Sequence, residues 1–147
     1  MGNSGRILPA VKDTFVRKLK ITKNEKEAGL WLRELGDKKI KKFFRKYKLP
    51  LKTQVFYINE VKNVKGFIEN NLAKNNDIIV NYWLKPFYKE RDNGHFSLVS
   101  AINGSRITLC DPSINRKPFW EAEIDKLIKS MGEQFDKHLR GFAVFTT

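Results

Sequence analysis

Two residues of this chain, His95 and Asp111, have the types and the spacing of an acid–base pair. His95 opens an alternating run, His-Phe-Ser-Leu-Val-Ser-Ala-Ile, and Asp111 follows a second, Arg106–Cys110, with Asn103-Gly104 between them as a hairpin turn. With residues 102 and 105 taken as opposite each other, positions 96 and 111 meet at one end of the two strands. Cβ atoms across such a pair lie about 4.5–5.5 Å apart. A carboxylate there accepts a hydrogen bond from the imidazole and fixes its tautomer, as the orienting acid of a hydrolytic triad does. The plainer reading is a surface His beside an Asp-Pro turn.

Other reactive side chains are few. Cys110 is the only cysteine, so neither an intramolecular disulfide nor a Cys-based zinc site is expected; with two His in all, a catalytic metal site is not expected either, and no cofactor is implied. Cys110 adjoins Asp111 on a strand, so alternation points it to the opposite face, and the negative neighbour raises its pKa. It reads as a core cysteine. His138 falls in the charged stretch Asp136–Arg140 and reads as solvated loop. Trp31, Trp83 and Trp120 read as core or cleft-wall residues, with Trp83 the one placed to border a substrate groove.

These residues need a frame to hold them. Ile7, Leu8, Val11, Phe15 and Leu19 form a helical stripe over 5–20. Thr22 to Glu25 has capping-box form and opens a helix carrying Ala28, Trp31, Leu32 and Leu35, which Gly36 stops. Asp37 caps a third helix that buries Ile40, Phe43, Phe44 and Tyr47 and ends before Pro50. Residues 53–58 read as a strand and 60–74 as a helix. Strands are expected at 78–84, 95–102, 106–110 and 141–145, with a helix at 121–131. Helices first and an antiparallel sheet afterwards give an α+β layout.

The run IIVNYW, then HFSLVSAING, RITLCDPS, FWEAEIDKLIKSM and GFAVF, resembles the C-terminal half of the double-glycine-leader (bacteriocin-processing) peptidases, within the papain-like cysteine peptidase superfamily. The resemblance covers roughly the last 90 residues, and His95 and Asp111-Pro112 are its specific points. It implies a single papain-like domain over 1–147, helical over about 5–48 and sheet-rich over about 53–147, with a Cys-His-Asp triad. The family's nucleophile is a Cys followed by Gly at the start of the first helix, where the helix N-terminus lowers the thiol pKa. Asn3-Ser4-Gly5 occupies the matching place, so Ser4 stands at the nucleophile position. Three accounts of Ser4 stay open: a replaced Cys in an inactive form, a naturally inactive relative, or a serine nucleophile dependent on base assistance. The family's oxyanion-hole Gln has no counterpart in this sequence, and Asn3 or the Ser4 backbone N–H would take its part.

Composition sets the alternatives. Hydrophobic residues make up 41% and aromatics 12% of 147 residues, enough for a packed core. The net charge of +13 suggests an acidic surface or nucleic acid as partner, against the plainer reading of solvated Lys-rich helix faces. No apolar run approaches the roughly 20 residues of a membrane span, no secretory signal follows Met1, and the compartment is left open. The resemblance implies a hydrolase acting on a peptide or protein amide, or a deamidase or acyl-transfer relative. It is compatible with an exported effector or toxin domain met by an inhibitor or immunity-type protein. The alternatives are a non-catalytic pseudopeptidase that binds a peptide, and a basic module for nucleic acid or an acidic surface.

Overall fold

A computed structural model describes residues 31–111 and 117–147. The expected helix over 5–20 and the capping box at Thr22 lie outside the described residues.

The described chain is a mixed α+β fold with three α-helices and a six-stranded antiparallel sheet. Its α-helices are α1 (Lys38–Lys46), α2 (Val64–Ala73) and α3 (Ile124–Lys129). The strands are β1 (Lys52–Tyr57), β2 (Asp77–Trp83), β3 (Gly94–Asn103), β4 (Arg106–Cys110), β5 (Phe119–Glu123) and β6 (Gly141–Thr146). They are ordered β1-β6-β2-β3-β4-β5. The last strand therefore enters the sheet between β1 and β2. No described helix is long and apolar enough to cross a membrane.

Both faces of the sheet are covered, which is why Ile78-Ile-Val-Asn-Tyr-Trp-Leu84 reads as a nearly unbroken apolar run. Ile79, Leu98, Ala143 and Phe145 pack on one face against Leu32 and Leu35 of a 3₁₀ helix (Leu32–Gly36) and against Ile40 and Phe44 of α1. Ile78, Val80, Tyr82 and Phe142 pack on the other against Val64 and Ile68 of α2 and Leu127 of α3. Helices of ten residues are marginal on their own in water. Burial of Ile40, Ile68 and Leu127 at 0% exposure, about 1.5–3 kcal/mol each, holds them in place.

Local signals fix the helix starts. The Asp37 carboxylate accepts from the backbone N–H groups of Lys39 (2.6 Å) and Ile40 (3.3 Å), and the Asn63 side chain accepts from Gly66 N–H at 2.9 Å. Gly141 is required by close approach: a Cβ there would collide with the Phe56 carbonyl oxygen and the Tyr57 Cα across the β1–β6 pair.

Two expectations are corrected. Residues 121–123 are not helical: Phe119–Glu123 is a strand paired with β4, and the helix begins at Ile124. The alternation decides it, because Ala122 is buried opposite Ile107 while Glu121 and Glu123 point outward to Arg106 at 2.9 and 2.8 Å. The hairpin turn is also displaced by one residue. Asn103 pairs with Arg106, so Gly104 and Ser105 are central, and Gly104 takes the left-handed φ of +61° that a glycine tolerates.

Candidate functional site

His95 is the second residue of β3 and Asp111 immediately follows β4, so the antiparallel hairpin delivers both to the same end of the sheet. What places them on one face is an irregularity. The pairs run Asn103↔Arg106, Ile102↔Ile107 and Ala101↔Thr108, then Val99↔Leu109 and Leu98↔Cys110, so Ser100 has no opposite number. This is a β-bulge, which shifts the register of everything beyond it by one. Continued past Cys110, the register sets Asp111 opposite Ser97, two residues from His95 on the same face. Were Ser100 paired regularly, Asp111 would fall opposite Leu98 and project through the other face. The expected pairing of 96 with 111 would likewise have separated the two side chains, and it is corrected by this bulge.

The imidazole and the carboxylate meet as a result. His95 Nε2 lies 3.0 Å from Asp111 Oδ1, with the Asp side chain 0% and the His side chain 17% exposed. The Asp111 backbone N–H donates to the Pro118 carbonyl at 2.8 Å, which ties the end of β4 to the approach to β5. With Nε2 committed to the carboxylate, Nδ1 is the ring nitrogen left to take or give a proton.

Below the imidazole lies a polar pair within the apolar core. Tyr82, directly opposite His95, stands edge-on to its ring (centroids 5.8 Å apart, 85°), and the Tyr82 hydroxyl is 2.9 Å from the Ser97 hydroxyl. Both residues are almost fully buried. The Asn81 side chain, buried on the opposite face, donates from Nδ2 to the His95 carbonyl at 3.0 Å. Two hydrogen bonds thus hold the backbone and the ring of one residue from different directions. Sequence reasoning passed over Asn81, Tyr82 and Ser97; the available signal was a polar group inside an otherwise apolar strand, which needs a partner when buried.

Trp83, expected at the groove, is buried. Its indole N–H donates to Asp92 at 3.0 Å, its ring stacks on Phe135 (5.8 Å, 13°), and the Arg140 guanidinium covers it at 4.5 Å. Arg140 in turn lies against Gly94, next to His95. A cleft of about 450 Å³ opens beside this cluster, with Trp31, Tyr57, Asn81 and His138 among its walls. His138 is exposed, with its ring 4.4 Å from that of Trp31.

Cys110 points away from this site, into the face shared with Leu98 and Phe145. Burial, and then the charge of Asp111, push its thiol above the ordinary value, so it is a poor nucleophile. Asn3, Ser4 and Gly5 lie outside the described residues. Among the described residues no three His, Cys, Asp or Glu side chains gather as a metal site would require.

No protein-family model matches this chain, and a search of curated proteins likewise returned no match.

Proposed function

We propose that this is a papain-like hydrolase domain acting on an amide, with His95 as general base and acid, Asp111 as its orienting partner and position 4 as the nucleophile. The single observation that carries the reading is the 3.0 Å contact between His95 Nε2 and a fully buried Asp111 carboxylate, on a face that only the bulge at Ser100 makes common. In the Cys form, His95 Nδ1 takes the thiol proton as sulfur attacks the amide carbonyl. The same nitrogen returns the proton to the leaving nitrogen as the C–N bond breaks. Water, deprotonated by Nδ1, then releases the acyl group and restores the thiol. A serine at position 4 has almost no anion at neutral pH and leaves this cycle idle.

The test is Ser4→Cys, read by alkylation with iodoacetamide. Cys110 is half-buried with its thiol raised above the ordinary value, and Ser4→Cys in a Cys110→Ala background removes its signal altogether. A free cysteine is only a few per cent thiolate at pH 7, so an activated thiol is expected to label about ten times faster, and His95→Ala is expected to return it to the free rate. A thiol no faster than free cysteine, or one indifferent to His95→Ala, would sink the hydrolase reading in favour of a non-catalytic peptide-binding module.

A further inference from the structure

A second surface, remote in sequence from His95 and Asp111, has its own chemistry. Residues 38–53 carry eight Lys or Arg and no Asp or Glu, so this short stretch supplies eight of the chain's net thirteen positive charges. Six of them, Lys38, Lys39, Lys41, Lys42, Arg45 and Lys46, lie on α1 and are exposed. At about 100° per residue they occupy one continuous arc of roughly 160°, with Ile40, Phe43 and Phe44 on the remainder. None of the six forms an ion pair with a described carboxylate. The nearby acids are already engaged: Asp37 caps α1, and Glu34 accepts from the Trp31 backbone N–H.

Two further features adjoin this arc. Tyr47, 40% exposed at the end of α1, packs on Phe43 (centroids 4.8 Å) and carries the Lys46 ammonium 5.5 Å from its ring centroid. Between α1 and the start of β1 runs a groove of about 530 Å³, with Phe44, Leu49 and Leu51 as apolar walls and Lys41, Arg45 and Lys52 as its cations.

We infer that this surface binds single-stranded nucleic acid, with phosphates on the α1 cations, a base against Tyr47 and a nucleotide in the groove. Basic tracks with aromatic platforms are how single strands are held without sequence preference. The apolar groove suits a base, and the cations at its rim suit the phosphate. A lipid surface fits less well. Basic helices that lie in a bilayer interface insert an apolar face, and here Ile40 and Phe44 are only 0% and 2% exposed because they belong to the core. The inference does not depend on the hydrolase reading, and His95→Ala is expected to leave it untouched.

The experiment is fluorescence anisotropy of a labelled single-stranded 20-mer titrated with the full chain at several salt concentrations. Lys39→Gln/Lys42→Gln/Lys46→Gln is expected to weaken binding more than tenfold and to lower the salt slope by about 2, since each phosphate contact on a single strand contributes about 0.7. Tyr47→Ala is expected to weaken it at least fivefold. A control triple on α2 and α3, Lys65→Gln/Lys126→Gln/Lys129→Gln, removes the same charge and is expected to cost less than threefold. Equal losses in the two triples would reduce the effect to net charge and overturn the proposal. So would a duplex bound as tightly as the single strand, or anionic phosphatidylserine vesicles retained where the oligonucleotide is not.

Discussion

In the Ser4→Cys protein, replacing Asp111 by Ala is expected to slow thiol labelling at neutral pH about tenfold, to the rate of a free cysteine, while leaving the chain folded. Removing the orienting acid of a triad costs about 10⁴ in turnover, because the imidazole loses both its tautomer and its position. Alkylation reads only the readiness of the thiol, so a smaller share of that loss is expected. The carboxylate is the group bonded to Nε2, and without it the ring is free to rotate and bring either nitrogen forward. The backbone bond from Asp111 N–H to the Pro118 carbonyl is unaffected by the substitution, so β4 keeps its anchorage. A merely structural Asp111 would show itself in a lowered melting temperature with an unchanged pH–rate curve. A positioning Asp111 moves the curve instead, toward the pKa near 8.5 of an ordinary cysteine. A labelling rate within threefold of the Ser4→Cys parent would refute the assignment.

Asp136→Asn is expected to lower the melting temperature at pH 7 by about 10 °C. Arg140 is buried at 3% exposure. Its Nη1 and Nη2 both donate to the Asp136 carboxylate, Nη1 also donates to the His138 carbonyl at 3.1 Å, and the guanidinium plane covers Trp83. Removing one partner of a buried pair leaves a charge without compensation, which costs about 3–5 kcal/mol. Because the Asp136 side chain is 24% exposed, the lower end applies, and each kcal/mol moves a domain of this size by about 3 °C. The pH dependence has a definite sign. Burial alone would raise the Asp136 carboxyl, but the hydrogen bond and the charge of Arg140 outweigh it and hold the group below its ordinary value of 3.8. Its stabilisation is therefore complete above that value and lost as pH falls through the lower, folded one. The gap between wild type and variant should be full at pH 7 and smaller at the most acidic pH the fold withstands, below 3.8. Thermal unfolding followed by circular dichroism at both pH values checks this, and a gap that stays constant would contradict the ion-pair account.

Much of the architecture was legible because single residues announce it. Asp37 caps α1, the apolar run at Ile78 marks a strand covered on both faces, and His95 and Asp111 flank a hairpin whose turn carries Gly104. Three things were not legible, each for a physical reason. FWEAE alternates as a strand but merges into the helical IDKLIK, and only pairing with Arg106 and Ile107 separates the two. A bulge leaves no compositional mark, since Ser100 is an ordinary exposed residue and its effect is on register alone. The support beneath His95 comes from Asn81, Tyr82 and Ser97, whose partners lie 14 or 15 residues away and depend on strand pairing that periodicity does not encode.

The bulge also bears on how relatives of this chain would be recognised. The residue pairs on either side of Ser100 would be the same if that residue were simply missing, because Val99 would then precede Ala101 in regular alternation. A chain lacking it would hold the same imidazole against the same carboxylate with one residue fewer between them. Any search that demands a fixed count from His to Asp would accept one of these proteins and reject the other, although their geometry is equivalent. Distance along the chain is thus a weaker mark of kinship here than parity across the sheet.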